Sequence, residues 1–235
     1  MRNMIDLLSV NLESPEHAGK IFGVVIGVVT NNQDPDKLGR VKVKLPWLDD
    51  QDESNWARIA TMMAGNNRGT FFLPEVDDEV LLAFEHGNVA KPYVVGALWN
   101  GVDAPVRDNA DGKNNLRVIR SRAGHEVILN DEDGKEQVEI KTKAGHQLLL
   151  DDTSGSEKIS IVDKGGDNKI EIDSAAGSIA ISAKTKITLK APTVEITADQ
   201  EMTAKSAKVE ITSDGPAKLE SSAILTVKGS MVKIN

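Results

Sequence analysis

From Ile179 to Asn235 apolar side chains come in pairs with one residue between them. The pairs are Ile179/Ile181, Ile187/Leu189, Val194/Ile196, Met202/Ala204, Val209/Ile211, Ala217/Leu219, Leu225/Val227 and Val232/Ile234. They follow one another at steps of seven or eight residues. Each pair predicts a three-residue strand with both apolar side chains on one face. The Lys, Thr, Ser, Ala, Asp and Glu between them suit turns and an outward face. A repeat this short encloses no core by itself and must stack on its neighbours or on other chains.

Upstream the period lengthens to 21 residues. Arg122-Ala123-Gly124-His125 with Val127-Ile128-Leu129-Asn130-Asp131 aligns with Lys143-Ala144-Gly145-His146 with Leu148-Leu149-Leu150-Asp151-Asp152. Gly134 aligns with Gly155, and Val138/Ile140 with Ile159/Ile161. Asp133-Gly134 reads as a hairpin-like tip. Gly165-Gly166 with Ile170/Ile172 begins a shortened third copy.

The front of the chain reads as five short strands: Phe22 to Thr30, Leu38 to Pro46, Trp56 to Met62, Glu79 to His86 and Lys91 to Trp99. In the second, Val41, Val43 and Leu45 alternate with Arg40, Lys42 and Lys44. Turn chemistry separates the strands at Asn31 to Asp36 and at Gly65 to Gly69. Five strands in so short a span predict a closed barrel of the OB type, since closure removes exposed edges. The expected organisation is an arm at 1–20, an OB-fold at 21–103, a polar linker at 104–120 and a spike at 121–235. The fold class is all-β.

Composition sharpens the division. Phe22, Trp47, Trp56, Phe71, Phe72, Phe84, Tyr93 and Trp99 are the only aromatic residues, and all precede residue 100. They are the expected large pieces of a globular core, whereas the later chain has only small and aliphatic side chains to fill space. Net charge is -8, which gives nucleic acid or an anionic membrane little electrostatic purchase. Residues 1–112 hold 10 Lys and Arg against 17 Asp and Glu; the remainder holds 18 against 19. There is no cysteine, hence no disulfide framework or thiol chemistry. The first twenty residues lack an apolar signal-peptide core, so the expected place of assembly is the cytoplasm. Met4-Ile5-Asp6-Leu7-Leu8 suits the start of a short helix, broken by Pro15 and Gly19. This arm is read either as partly ordered or as a docking tail for a neighbouring subunit.

Gly23 through Val29, then Asp34-Pro35, Leu38-Gly39-Arg40-Val41-Lys42-Val43 and Pro46-Trp47, resembles the opening of the OB domain of phage baseplate protein V, phage cell-puncturing spikes and the VgrG spikes of type VI secretion. Trp56-Ala57-Arg58 with Phe72-Leu73-Pro74-Glu75-Val76 and Asp78-Glu79-Val80 resembles its middle; Pro92-Tyr93-Val94-Val95-Gly96 with Asn100-Gly101 resembles its end. Asp77 stands where that pattern has Gly. The Ala-Gly-His and acidic-turn elements that follow resemble the stem of the same family.

The resemblance implies a homotrimeric spike: an OB collar on a trimeric baseplate hub, the inner tube behind the hub, and a triple-stranded β-helix needle. The needle pierces the target envelope on sheath contraction, touching the membrane only transiently. Because about twenty residues precede the OB domain, the hub is expected on a separate chain. Val232, Ile234 and Asn235 at a blunt end are expected to meet a PAAR-type tip protein. The particle is a phage tail, a tailocin or a related machine. Thirteen strands from Val127 to Ile234 at about 4.8 Å each give a needle on the order of 60 Å. Interleaving would make every backbone hydrogen bond in it an inter-chain bond. Periodicity alone also allows a single-chain solenoid with three strands per rung.

Candidate chemistry is thin. Arg40 and Arg58 are candidate anion ligands, but pairing with nearby acids is the stronger reading. Trp47 and Trp56 suit stacking platforms for sugars or bases, or core and interface packing. The equivalent histidines His125 and His146 have no Cys or close second His beside them, so a turn-stabilising hydrogen bond outweighs metal binding. Asp131, Glu132, Asp133, Asp151 and Asp152 fall on turns and read as solvated acids rather than a hydrolytic or calcium site. No catalytic constellation, cofactor or metal is expected. The alternatives are an oligosaccharide or single-stranded nucleic-acid binding OB module on a fibrous stalk, and a stalk-borne hydrolase.

Overall fold

The computed structural model describes residues 19–234. Its chain divides into two units, residues 1–184 and residues 185–235. Most of the arm, residues 1–18, and Asn235 at the tip lie outside the described residues.

The first unit begins with a barrel. Its strands are β1 (Val24–Asn31), β2 (Lys42–Leu45), β3 (Asp49–Glu53), β4 (Arg58–Ile59), β7 (Glu79–Phe84) and β8 (Pro92–Ala97). They form one sheet in the order β3-β2-β1-β7-β8-β4, and β4 runs parallel to β8. A small hairpin of β5 (Ala64–Gly65) and β6 (Arg68–Gly69) stands apart. Val41 and Ala57 exchange backbone hydrogen bonds of 2.7 and 3.1 Å. That bridge joins the approach to β2 with the approach to β4, so β1-β2-β4-β8-β7 closes on itself as an OB barrel does.

Alternation builds the core. Val80, Leu82 and Phe84 of β7 point inward while Glu79, Leu81 and Ala83 point out. Val29, Val41, Val43, Leu45, Ala57 and Val94 complete the buried cluster. A Cβ on Gly27 would lie 2.7 Å from Leu82 Cδ1 and 3.2 Å from the Lys44 carbonyl, so glycine there lets β1 pass close over the core.

Two expectations about this domain are corrected. The aromatic residues do not build its core: Phe84 alone is buried, and Phe22, Trp47, Phe71, Phe72 and Trp99 are exposed. The barrel interior is narrow and is filled mainly by Val, Leu and Ala. The third strand is two residues long rather than seven, and the acidic stretch Asp49–Glu53 pairs with β2 as a strand no alternation announced.

A seven-stranded antiparallel meander follows: β9 (Leu116–Arg120), β10 (Glu126–Asn130), β11 (Gln137–Lys141), β12 (Gln147–Asp151), β13 (Lys158–Val162), β14 (Lys169–Asp173) and β15 (Ser178–Ser182). β9 occupies the end of the segment read as linker. Each strand pairs in full register with its neighbour in sequence. The expectation that strands here bond only to other chains is therefore corrected. Glycines at positive φ turn the chain at alternate edges: Gly124, Gly145 and Gly166 at one, Gly134, Gly155 and Gly177 at the other. One 21-residue repeat is thus one pair of hairpins.

The second unit has no strand among its described residues, and every one of them is exposed. The period changes at the same point: a five-residue strand with its turn consumes ten or eleven residues in the meander, and the apolar pairs beyond it step by seven or eight.

Candidate assembly surfaces

The meander has one apolar face. Its registers align Ile119, Val127, Ile140, Leu148, Ile161, Ile170 and Ile181 in one column across the seven strands. A second column runs Leu129, Val138, Leu150, Ile159, Ile172 and Ile179. Most of these side chains stay substantially exposed; Ile161, in mid-column, is 53% exposed. The opposite face is mainly polar, and there Ser160 is 5% exposed between Leu149 and Glu171. Apolar columns facing open solvent across seven strands are what an assembly surface looks like in one copy.

Ile179 and Ile181 lie at the end of these columns, on β15. Ile187, Leu189, Val194, Ile196, Val209, Ile211, Leu225 and Val227 lie in the second unit, exposed and outside any strand. Val232 and Ile234 are exposed there too.

The turns at one edge are tied together by a repeated device. His125 Nδ1 accepts the Lys143 N–H, and His146 Nδ1 accepts the Lys164 N–H, each at 3.3 Å. In the next copy Asn168 Oδ1 accepts the Lys184 N–H at 3.1 Å. The Ser121 hydroxyl oxygen and Thr142 Oγ1 accept the N–H groups of His125 and His146 at 3.1 and 3.0 Å. The histidines are thus acceptors between successive hairpins. Among the described residues no group of three His, Cys, Asp or Glu is placed to hold a metal ion. The acidic turns are engaged locally: Asp131 pairs with Arg117 at 2.7 Å, Glu132 with Lys135 at 2.9 Å, and Asp151 accepts the Thr153 N–H at 3.0 Å. The Thr153 bonds hold the Asp151 carboxyl below its ordinary pKa, and the Lys135 ammonium does the same for Glu132.

On the barrel, Asp34 organises the loop between β1 and β2. Its carboxylate accepts two bonds from Arg40, at 2.7 and 2.8 Å, and N–H bonds from Asp36, Leu38 and Arg40. The Arg40 bond holds the Asp34 carboxyl well below the usual range, and the same pairing raises Arg40. Asp36 takes a further Arg40 bond at 2.6 Å. Arg40 therefore pairs with acids, while Arg58 stacks over the Tyr93 ring at 5.6 Å. Pro35 sits in the loop's turn, and Gly39 adopts φ 68 beside Phe71. Val41 makes the closing bridge. Pro46 and Trp47 form the exposed tip between β2 and β3, and Trp56 lies half-buried within 5.9 Å of Arg40 and 5.7 Å of Lys42. The Pro74 carbonyl accepts Asn32 Nδ2 at 3.1 Å. Glu79 opens β7 and Gly96 lies on β8 opposite Leu81. Asp77 adopts φ 77, a left-handed conformation Asp tolerates better than most residues, and its N–H reaches the Val29 carbonyl at 2.9 Å. The turn is made without glycine.

Comparison with known proteins matches residues 25–99 to the Type VI secretion system/phage-baseplate injector OB domain. Residues 137–203 match the phage baseplate V C-terminal trimerisation domain, a span that crosses from the meander into the second unit. The type VI secretion system spike protein VgrG1a of Pseudomonas aeruginosa is 30% identical over 138 residues, 54% of this chain and 21% of that protein. VgrG3 of Vibrio cholerae is 27% identical over 133 residues, 53% of this chain and 13% of that protein. The actin cross-linking toxin VgrG1 of Vibrio cholerae is 26% identical over 133 residues, 53% and 12% respectively. The chain thus spans between 12% and 21% of the length of these curated relatives.

Proposed function

We propose, from the premise that this chain belongs to the phage baseplate V and VgrG-like spike proteins, that it is the trimeric central spike of a contractile injection machine. It is a structural protein rather than an enzyme. The OB barrel docks on a baseplate hub, with the inner tube behind it. Three copies lay their apolar columns together along one axis, and their tails continue as an intertwined needle. A PAAR-type tip protein covers the far end. The particle, a phage tail or a tail-like relative, assembles in the cytoplasm. On sheath contraction the needle concentrates force on a small area of target envelope.

The observation that carries this reading is the change at residue 184. Up to that point strands pair within the chain and one apolar face is left open; beyond it the apolar pairs continue without a strand partner among the described residues.

Sedimentation equilibrium of the full chain tests it. The expected mass is three times 25.3 kDa; a stable single-chain mass across the accessible concentration range would overturn the spike reading. Failure of the purified trimer to bind a PAAR-type protein would remove the tip assignment alone.

A further inference from the structure

The segment between barrel and meander is not a slack connection. Its polar residues fold into a loop bonded to itself. Asn109 and Asn114 adopt φ 48 and φ 53. Asn109 Oδ1 accepts the Asn114 N–H at 2.7 Å, and the Asn109 carbonyl accepts the Gly112 N–H at 2.9 Å. The Asn115 carbonyl accepts the Asp131 N–H at 2.8 Å, which ties the loop to the end of β10. Between this loop, Trp99 beyond β8, and Leu116 and Val118 of β9 lies a cavity of about 560 Å³, an ordinary size for a small-molecule site. Val118 pairs with Ile128 and Leu116 with Asn130, so both stand on the polar face of the sheet, away from the two apolar columns. Contact between copies along those columns does not use this wall of the cavity.

We propose that this cavity binds a neutral oligosaccharide of equatorially linked, glucose-configured rings. Trp99 is 69% exposed, and its indole offers the cavity a flat apolar face. A pyranose with equatorial substituents shows only C–H bonds on its two faces and lies flat on such a ring. Its hydroxyls then point outward, where polar groups must meet them. Those groups are present and unspent. The side-chain amides of Asn114 and Asn115 make no hydrogen bond among the described residues. Asp108 and Asp111 each commit one carboxylate oxygen, to the N–H of Ala110 at 3.2 Å and of Lys113 at 3.1 Å, and keep the other. The loop's internal bonds hold these residues in place before a ligand arrives, which lowers the cost of ordering them. Charge selects against anions. Arg107, the one cationic residue in the lining, is engaged by the Val106 carbonyl at 2.7 Å and by Glu126 at 3.4 Å. A nucleic-acid strand could stack on Trp99, but it would carry its phosphates toward Asp108 and Asp111. The site needs only the barrel, loop and meander of one chain, so it stands apart from the spike reading.

Calorimetric titration of the full-length protein with cellotetraose, chitotetraose and oligothymidylate tests the proposal. Saturable binding of at least one of the two sugars is expected, with a dissociation constant below about 10 mM, and no binding of oligothymidylate. Trp99→Ala should weaken the sugar at least about tenfold through loss of the stacking face. Asp111→Ala and Asn115→Ala should each weaken it too. Trp47→Ala removes an exposed ring outside the cavity and should leave the affinity unchanged. Binding of neither sugar overturns the proposal, as does tighter binding of oligothymidylate or sugar binding that Trp99→Ala leaves intact. Sedimentation of the same solutions keeps the two readings apart. A single-chain mass with sugar bound removes the spike and keeps the site; a trimer that binds no sugar does the reverse.

Discussion

Replacing Ile161 by aspartate separates an open sheet face from a covered one. In one chain Ile161 stands between Leu148 and Ile170 in the first apolar column, about half exposed. If water bathes this face in solution, Ile161→Asp is a surface substitution worth within about 0.5 kcal/mol. If two further copies cover it, the sums differ. The unburied half of an isoleucine is worth about 1 kcal/mol per copy. A carboxylate taken into that interior costs several kcal/mol more. Three copies meet on one axis, so the total is on the order of 10 kcal/mol per trimer, about seven decades in the association constant. The variant is expected to sediment as 25.3 kDa chains where the parent sediments at three times that mass. Ala180→Lys on the polar face, opposite Glu171, controls for charge alone and leaves the mass unchanged. An Ile161→Asp protein that remains trimeric at micromolar concentration refutes the claim that the columns form the axis.

Other expectations follow from the barrel and the turns. Leu82→Ala, at a fully buried position under Gly27, should cost the barrel about 2–5 kcal/mol, read by denaturant unfolding with tryptophan fluorescence. Asp34→Asn should lower the barrel's melting temperature at pH 7, because Arg40 depresses the folded carboxyl. The native contribution is present above the ordinary carboxylate pKa of about 4 and is lost as pH falls through the lower folded value. The difference between parent and variant should therefore shrink with acidification below that point; a constant difference contradicts the assignment. His146→Asn should preserve amide exchange protection at Lys164, since Asn168 already serves that role for Lys184, whereas His146→Leu should abolish it.

Strands with strict alternation were legible in the sequence because one face met a core. Val41, Val43 and Leu45, and Val80, Leu82 and Phe84, are buried where their spacing put them. β3 was not legible: Asp49–Glu53 carries no apolar period and is a strand only because β2 offers it an edge. The aromatic residues misled, since size suggests burial while the small barrel has room mainly for Val, Leu and Ala. The 21-residue repeat located the hairpins, yet apolar pairs fit a meander and a wound needle equally well. Glycine at alternate edges decides for the meander up to residue 182. The assembly face itself needed the register: sequence alone named Ile179 and Ile181 but did not align them with Ile119 at the far side of the sheet.

The break after β15 also dictates an order of events. A nascent chain can satisfy its backbone from residue 116 to residue 182 by folding locally, hairpin on hairpin. The stretch beyond residue 184 pairs with no strand among the described residues, so on the proposed reading its backbone waits for other chains. Three finished meanders meeting side by side would act as a starting clamp that sets the phase of the threads below. A slip of one residue there would turn every apolar pair toward water, so errors of winding are cheapest to prevent at the top, before the first thread crosses.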